Sequence, residues 1–274
     1  MTLSRFLGAV LMAVASTACA AESFTQVAVG KAKVSWRTDT PLTATTPLWL
    51  HLHGDPRTVE QAFASLHTPG VLVNVTLPGL SKIYADYFSE PAAFDTLLRE
   101  VTATLRRTAG LETWAPSMLT VSSFSAGFGG VRQLLRQPGA FERISVLVMA
   151  DSIYCGYAGP VAERRVDPSL MEGFTRFAQL AAKGQKRLLI THTQQVPEGY
   201  ASTTETADYL LAAIGGQRRA EEIVWAEGLT QTSRCTRGGL EVLGFMGAEA
   251  KDHMHHLRSL GLFLARVQMP VATP

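Results

Sequence analysis

Residues 117–135 read SMLTVSSFSAGFGGVRQLL, and this stretch decides how the rest of the chain is organised. A β-branched, apolar run over 117–123 stops at Ser-Phe-Ser-Ala-Gly. A helical pattern then starts at Ser125 and continues to about Gln137. A strand that turns into a helix with no loop between them leaves Ser125 at the tip, flanked by small residues.

Working outward, the same alternation recurs. Apolar strands are expected at 47–53, closed by Gly54, at 70–77, closed by Pro78-Gly79, and at 143–151, 186–193 and 239–247. Helical patterns occupy 94–110, 168–184, 203–216 and 252–267, with Gly110 and Gly184 as stops and Thr203 as an N-cap. Near-continuous apolar strands joined by short connections predict an α/β fold with a mostly parallel central sheet and helices on both faces. The alternating segment 24–37 around Gly30-Lys31 predicts a hairpin at one edge of that sheet.

Composition bounds the partners. With 46% hydrophobic and 18% charged residues in 274, the chain is a packed globular protein. A net charge of +2, without any block of like charges, excludes an electrostatic nucleic-acid partner. Residues 1–20 have the layout of a secretory signal: Arg5, an apolar run from Phe6 to Ala15, then Ala18-Cys19-Ala20 as an A-x-A cleavage site. Export to the periplasm or the outside follows, with 21–274 as one domain. Lipid attachment at Cys19 ranks second, because Ser16 stands where such sites carry Leu. The apolar run is too short to span a membrane comfortably, and no later segment matches it. In an oxidising compartment the two remaining cysteines, Cys155 and Cys235, are expected to form one disulfide.

In an open parallel sheet, ligands bind beyond the carboxyl ends of the strands. The residues there are His53-Gly54-Asp55, Ser125, Asp151, His192 and the segment around Asp252-His253. A serine hydroxyl becomes a nucleophile only when a base takes its proton and its Oγ stands clear of the backbone. A sharp strand-to-helix turn provides that clearance, and it demands small residues two before and two after the serine. Those residues are Ser123 and Gly127.

On these residues the chain resembles the α/β-hydrolase superfamily over roughly 45–267, with Ser123-Phe124-Ser125-Ala126-Gly127 in place of the usual G-x-S-x-G elbow. The resemblance implies a serine hydrolase, most often an esterase, with Ser125 as nucleophile and no cofactor or metal. It implies oxyanion donors at the Ala126 N–H and at Gly54 or Asp55. The acid is Asp151, which comes straight off a rigid strand, with Glu198 as the alternative. The base is His253, closest to the last strand, with His256 one turn further on. A small-molecule or polymer-borne ester is the expected substrate, since no long apolar insertion resembles a lipase lid. Tyr84, Tyr87, Phe88, Tyr154 and Tyr157 either line its pocket or pack the loops.

Two other classes compete. His51 and His53 share a strand face, and His253 and His256 share a helix face, so with His192 they suggest a hydrolytic metal site. That reading leaves the elbow unexplained, and the chain is short of the eight βα units of a metal-dependent barrel. The third class is a non-catalytic binding protein that keeps the fold.

Overall fold

The structure, a computed structural model, describes residues 24–268. The signal-peptide reading of 1–20, including Cys19, lies outside the described residues.

The strands are β1 (Phe24–Val29), β2 (Ala32–Arg37), β3 (Leu48–Leu52), β4 (Val71–Val75), β5 (Leu119–Phe124), β6 (Ile144–Ala150), β7 (Arg187–His192), β8 (Arg219–Ala226), β9 (Leu229–Arg237) and β10 (Leu240–Phe245). They form one ten-stranded sheet in the order β1-β2-β4-β3-β5-β6-β7-β10-β9-β8. From β4 through β10 every neighbouring pair is parallel. The hairpin β1–β2 sits antiparallel at one edge, as the sequence predicts.

The parallel strands are apolar on both faces because both faces are covered. Along β6, Leu147 and Met149 enter one core, while Val146, Val148 and Ala150 enter the other. The first core packs against α2 (Ser81–Ser89), α3 (Ala93–Ala109), α4 (Phe128–Arg136), α5 (Pro138–Arg143), α6 (Pro168–Ala182) and α7 (Thr203–Ala213). The second packs against α1 (Pro56–Ala64), α8 (Ala250–Arg258) and α9 (Leu260–Gln268). The period-2 alternation is present, but burial on both sides hides it from a polarity pattern.

The structure departs from the sequence expectations in several places. The far edge carries a second antiparallel hairpin, β8–β9, which the sequence reading did not anticipate. Its β8 strand is mostly exposed and rich in charge (Arg219, Glu221, Glu222), so neither face shows an apolar period. Helix α2 lies in a segment read as a loop; it buries Tyr84 and Phe88, one turn apart, against the first core. The helix expected over 252–267 is two helices. Ser259 ends α8 through its N–H to the His255 carbonyl, and its own carbonyl accepts the Leu262 N–H as α9 begins.

Cys155 and Cys235 are free, buried thiols, so the expected disulfide is absent. Cys155 lies in the loop after β6, where its Sγ donates to the Asp167 carbonyl at 3.5 Å. Cys235 is in β9, opposite Val242 of β10. Alkylation of the purified protein in denaturant without reductant is expected to label both residues. A peptide linking them in a non-reduced digest would contradict the fold's account of these two thiols.

Candidate active site

Ser125 follows β5 with φ +46°, in the left-handed region that costs a non-glycine residue about 1–2 kcal/mol. Behind it, a single 3₁₀ turn, Ser125–Gly127, runs straight into α4. Gly127 makes the turn sterically allowed: a Cβ there would lie 2.2 Å from the Leu52 carbonyl oxygen at the end of β3. The other flanking position holds Ser123 without strain. Its hydroxyl is fully buried and hydrogen-bonds Ser152 Oγ at 2.7 Å, while Ser152 Oγ donates to the Ser125 carbonyl at 2.9 Å. The serine that departs from the usual glycine thus fastens the elbow to the loop after β6.

That loop begins at Asp151, also held at positive φ (+44°) and fully buried. Its carboxylate accepts four hydrogen bonds: Thr193 N–H and Thr203 Oγ1 at Oδ1, Thr193 Oγ1 and His253 Nδ1 at Oδ2. Burial alone raises a carboxyl pKa. Here the His253 hydrogen bond, the fields of His256 and His253 and the Thr203 hydroxyl outweigh burial and hold Asp151 well below the usual carboxylate range. Thr203, expected as a helix cap, is released for this contact because Ser202 caps α7 in a capping box with Glu205.

His253 sits in the first turn of α8, with Nδ1 2.7 Å from Asp151 Oδ2. With Asp151 ionised, Nδ1 carries the proton, and the tautomer leaves Nε2 as a free base. The imidazole lies over the Phe124 ring at 4.4 Å, and His53 stacks on the same phenyl ring at 6.3 Å. Phe124 immediately precedes Ser125, so the ring stack sets His253 relative to the elbow. Ser125, Ala126 and His253 open on one cavity of about 490 Å³, whose walls include Leu80, Ser81, Phe128, Arg132, Tyr154 and Tyr200.

The sequence candidates therefore separate. Ser125, Asp151 and His253 come together, and Ala126 accompanies them. Glu198 is exposed. His256 is buried, with Nδ1 on Thr191 Oγ1 at 2.7 Å and its ring between Phe245 and Phe263. Gly54 and Asp55 follow β3 beside the elbow, but Gly54 faces Leu257 and Val59, Asp55 caps α1 through Thr58, and neither belongs to the cavity wall. The histidine pairs do not converge: His51 binds Ser122 Oγ and the His53 carbonyl, and His53 binds Tyr84 Oη. No group of three His, Cys, Asp or Glu among the described residues could hold a metal ion. Of the named aromatics Tyr154 lines the cavity, whereas Tyr84 and Phe88 are core residues and Tyr157 binds Glu205. Thr193, Thr203 and Ser152 were missed. Only their nearness to strand ends could have marked them.

No family model and no curated protein matches the chain. Solved structures do. The chain is similar to the enterobactin esterase of Shigella flexneri, at 12% identity and TM-score 0.51, over 90% of its own length and 58% of the esterase's. A Thermus thermophilus protein matches at 18% identity and TM-score 0.46, over 92% of this chain and 100% of that one. The dienelactone hydrolase of Anabaena variabilis matches at 11% identity and TM-score 0.43, over 90% and 95% of the two chains. The sheet order, the elbow and the esterase comparison define an α/β-hydrolase fold.

Burial lowers three histidines, His51, His192 and His256, to about 4. An unfolded chain protonates them near 6.5, so between pH 6.5 and 4 the unfolded state binds more protons than the folded one. Stability is therefore expected to fall as pH drops through that window, by on the order of 3 kcal/mol per histidine at most. Urea denaturation midpoints at pH 7.0 and 4.5 measure it; an unchanged midpoint would contradict the buried neutral imidazoles.

Proposed function

We propose that the protein is a serine hydrolase that cleaves carboxylic esters through an acyl-enzyme on Ser125. The observation that carries this reading is the His253–Asp151 hydrogen bond, 2.7 Å long, at the cavity onto which the positive-φ Ser125 opens. His253 Nε2 takes the Ser125 proton as Oγ attacks the acyl carbonyl. The same nitrogen then returns the proton to the departing alcohol. Water, deprotonated by His253, attacks the acyl carbon, and Ser125 Oγ leaves with that proton. Asp151 holds the tautomer and stabilises the imidazolium. Its threonine hydrogen bonds keep it from turning away, and its lowered pKa keeps it ionised throughout.

The oxyanion faces the Ala126 N–H, next after the nucleophile. Two backbone segments are candidates for the second donor: the Gly54–Asp55 turn after β3, and Ser81, in the cavity wall at the start of α2, where helix N–H groups lack intrahelical acceptors. The reaction requires no cofactor. We read the leader-like 1–20 as directing export, with a mature chain starting near Ala21; intact mass of the natively expressed protein tests that start site.

A fluorophosphonate probe is expected to label the wild type stoichiometrically and Ser125→Ala not at all. Asp151→Asn is expected to lower kcat on p-nitrophenyl acetate by on the order of 10⁴-fold, because an amide selects the wrong imidazole tautomer. A folded wild type that the probe does not label would rule out the serine mechanism.

A further inference from the structure

Arg132 lies on α4, two turns beyond Ser125, and its side chain lines the same cavity as Ser125 and His253. A guanidinium presents five N–H donors and cannot shed its charge at physiological pH. Here Nη2 donates to the Tyr154 carbonyl at 2.6 Å, and the group stands 5.0 Å from the centre of the Phe128 ring. Nε is buried and has no hydrogen-bond partner. Elsewhere in the molecule Arg164 is paired with Glu205 and Arg218 with Asp208, each through two nitrogens. The carboxylate that acts on Arg132 is Asp167, which makes no hydrogen bond to it and whose Oδ1 accepts from Ser169 N and Oγ at the start of α6. Among the described residues Arg132 has no ion pair.

A half-buried cation beside a nucleophile is costly to hold without a counter-charge, and burial also weakens its hold on the proton. A bound carboxylate offsets that cost, because two parallel N–H···O bonds match its geometry. Phe128, Tyr154 and Tyr200 add aromatic surface to the walls, and about 490 Å³ suits a small molecule. We infer that Arg132 is a specificity residue, and that the substrate is a small ester bearing a free carboxylate, which the guanidinium receives while the ester carbonyl reaches Ser125. This deepens the serine-hydrolase reading and rests on it. It chooses a soluble acidic ester over a neutral or polymer-borne one.

The test compares matched ester pairs that differ only in the charge. p-Nitrophenyl hemiglutarate against its methyl ester places the carboxylate on the acyl side. 4-Acetoxybenzoate against its methyl ester places it on the alcohol side. In at least one pair the wild type is expected to prefer the acid, by roughly 10- to 100-fold in kcat/KM, the range of a charge-assisted hydrogen bond. In Arg132→Met that ratio is expected to fall to about 1, and in Arg132→Lys to an intermediate value, since the bidentate fork is lost but not the charge. Fluorophosphonate labelling of each variant reports separately whether Ser125 is still activated. Wild-type ratios near 1 in both pairs, or a preference that survives in Arg132→Met, would overturn the assignment. If the wild type is not labelled, the catalytic reading fails, and calorimetry with phenylacetate decides Arg132 alone: a Kd at least tenfold weaker in Arg132→Met supports it, and equal affinities overturn it. If Arg132→Met does not accumulate, the wild-type ratios and Arg132→Lys decide.

Discussion

One buried negative charge organises the end of the sheet where Ser125 and His253 open on the cavity. Asp151 has no exposure to water, and an isolated carboxylate in that position would protonate rather than stay ionised. It stays ionised because four donors converge on it from different parts of the chain. Thr193 follows β7, Thr203 opens α7 and His253 opens α8. Removing the charge would therefore loosen the junction of β6, β7 and two helices, not only the imidazole. The carboxylate is at once the hydrogen-bond partner of His253 and a structural knot.

The second constraint is steric. The elbow packs against β3 so closely that Gly127 has no room for a side chain beside the Leu52 carbonyl. Phe124 ends β5 one residue before Ser125, and its ring lies between His53, from the turn after β3, and His253, from α8. Ser125, His253 and the turn after β3 are thus registered through a single aromatic ring. Hydrogen bonds to Asp151 fix which way His253 turns, and stacking on Phe124 fixes how far it stands from the elbow. Neither device alone fixes the imidazole in both respects.

Much of this was legible in the sequence because the parallel strands carry their own signal. Apolar runs ending in Ser125, Asp151 and His192 mark the active edge of the sheet, and small residues around Ser125 mark the turn. That Asp151 and His253 meet was anticipated from the resemblance together with their places at strand ends. What the sequence did not disclose is whatever depends on partners distant in the chain. The β8–β9 hairpin buries little, so it lacks an apolar period. Tyr84 and Phe88 read as loop aromatics until α2 places them one turn apart on the core. Thr193 and Thr203 matter only because the fold brings them to one carboxylate. Two cysteines in a chain that reads as exported suggested a bridge, yet both are buried unpaired in the first core, and counting cysteines carries no information about that.

Ser123 carries a consequence for how such a site can change over generations. Its hydroxyl is satisfied by Ser152, which in turn holds the Ser125 carbonyl. Replacing Ser152 first leaves the buried Ser123 hydroxyl only the weak Met149 Sδ acceptor and frees the elbow backbone together. Replacing Ser123 by glycine first leaves Ser152 its bond to the backbone and restores the commoner elbow. The two positions are therefore epistatic, and the path between the serine and glycine forms of this turn is passable in one direction more easily than in the other.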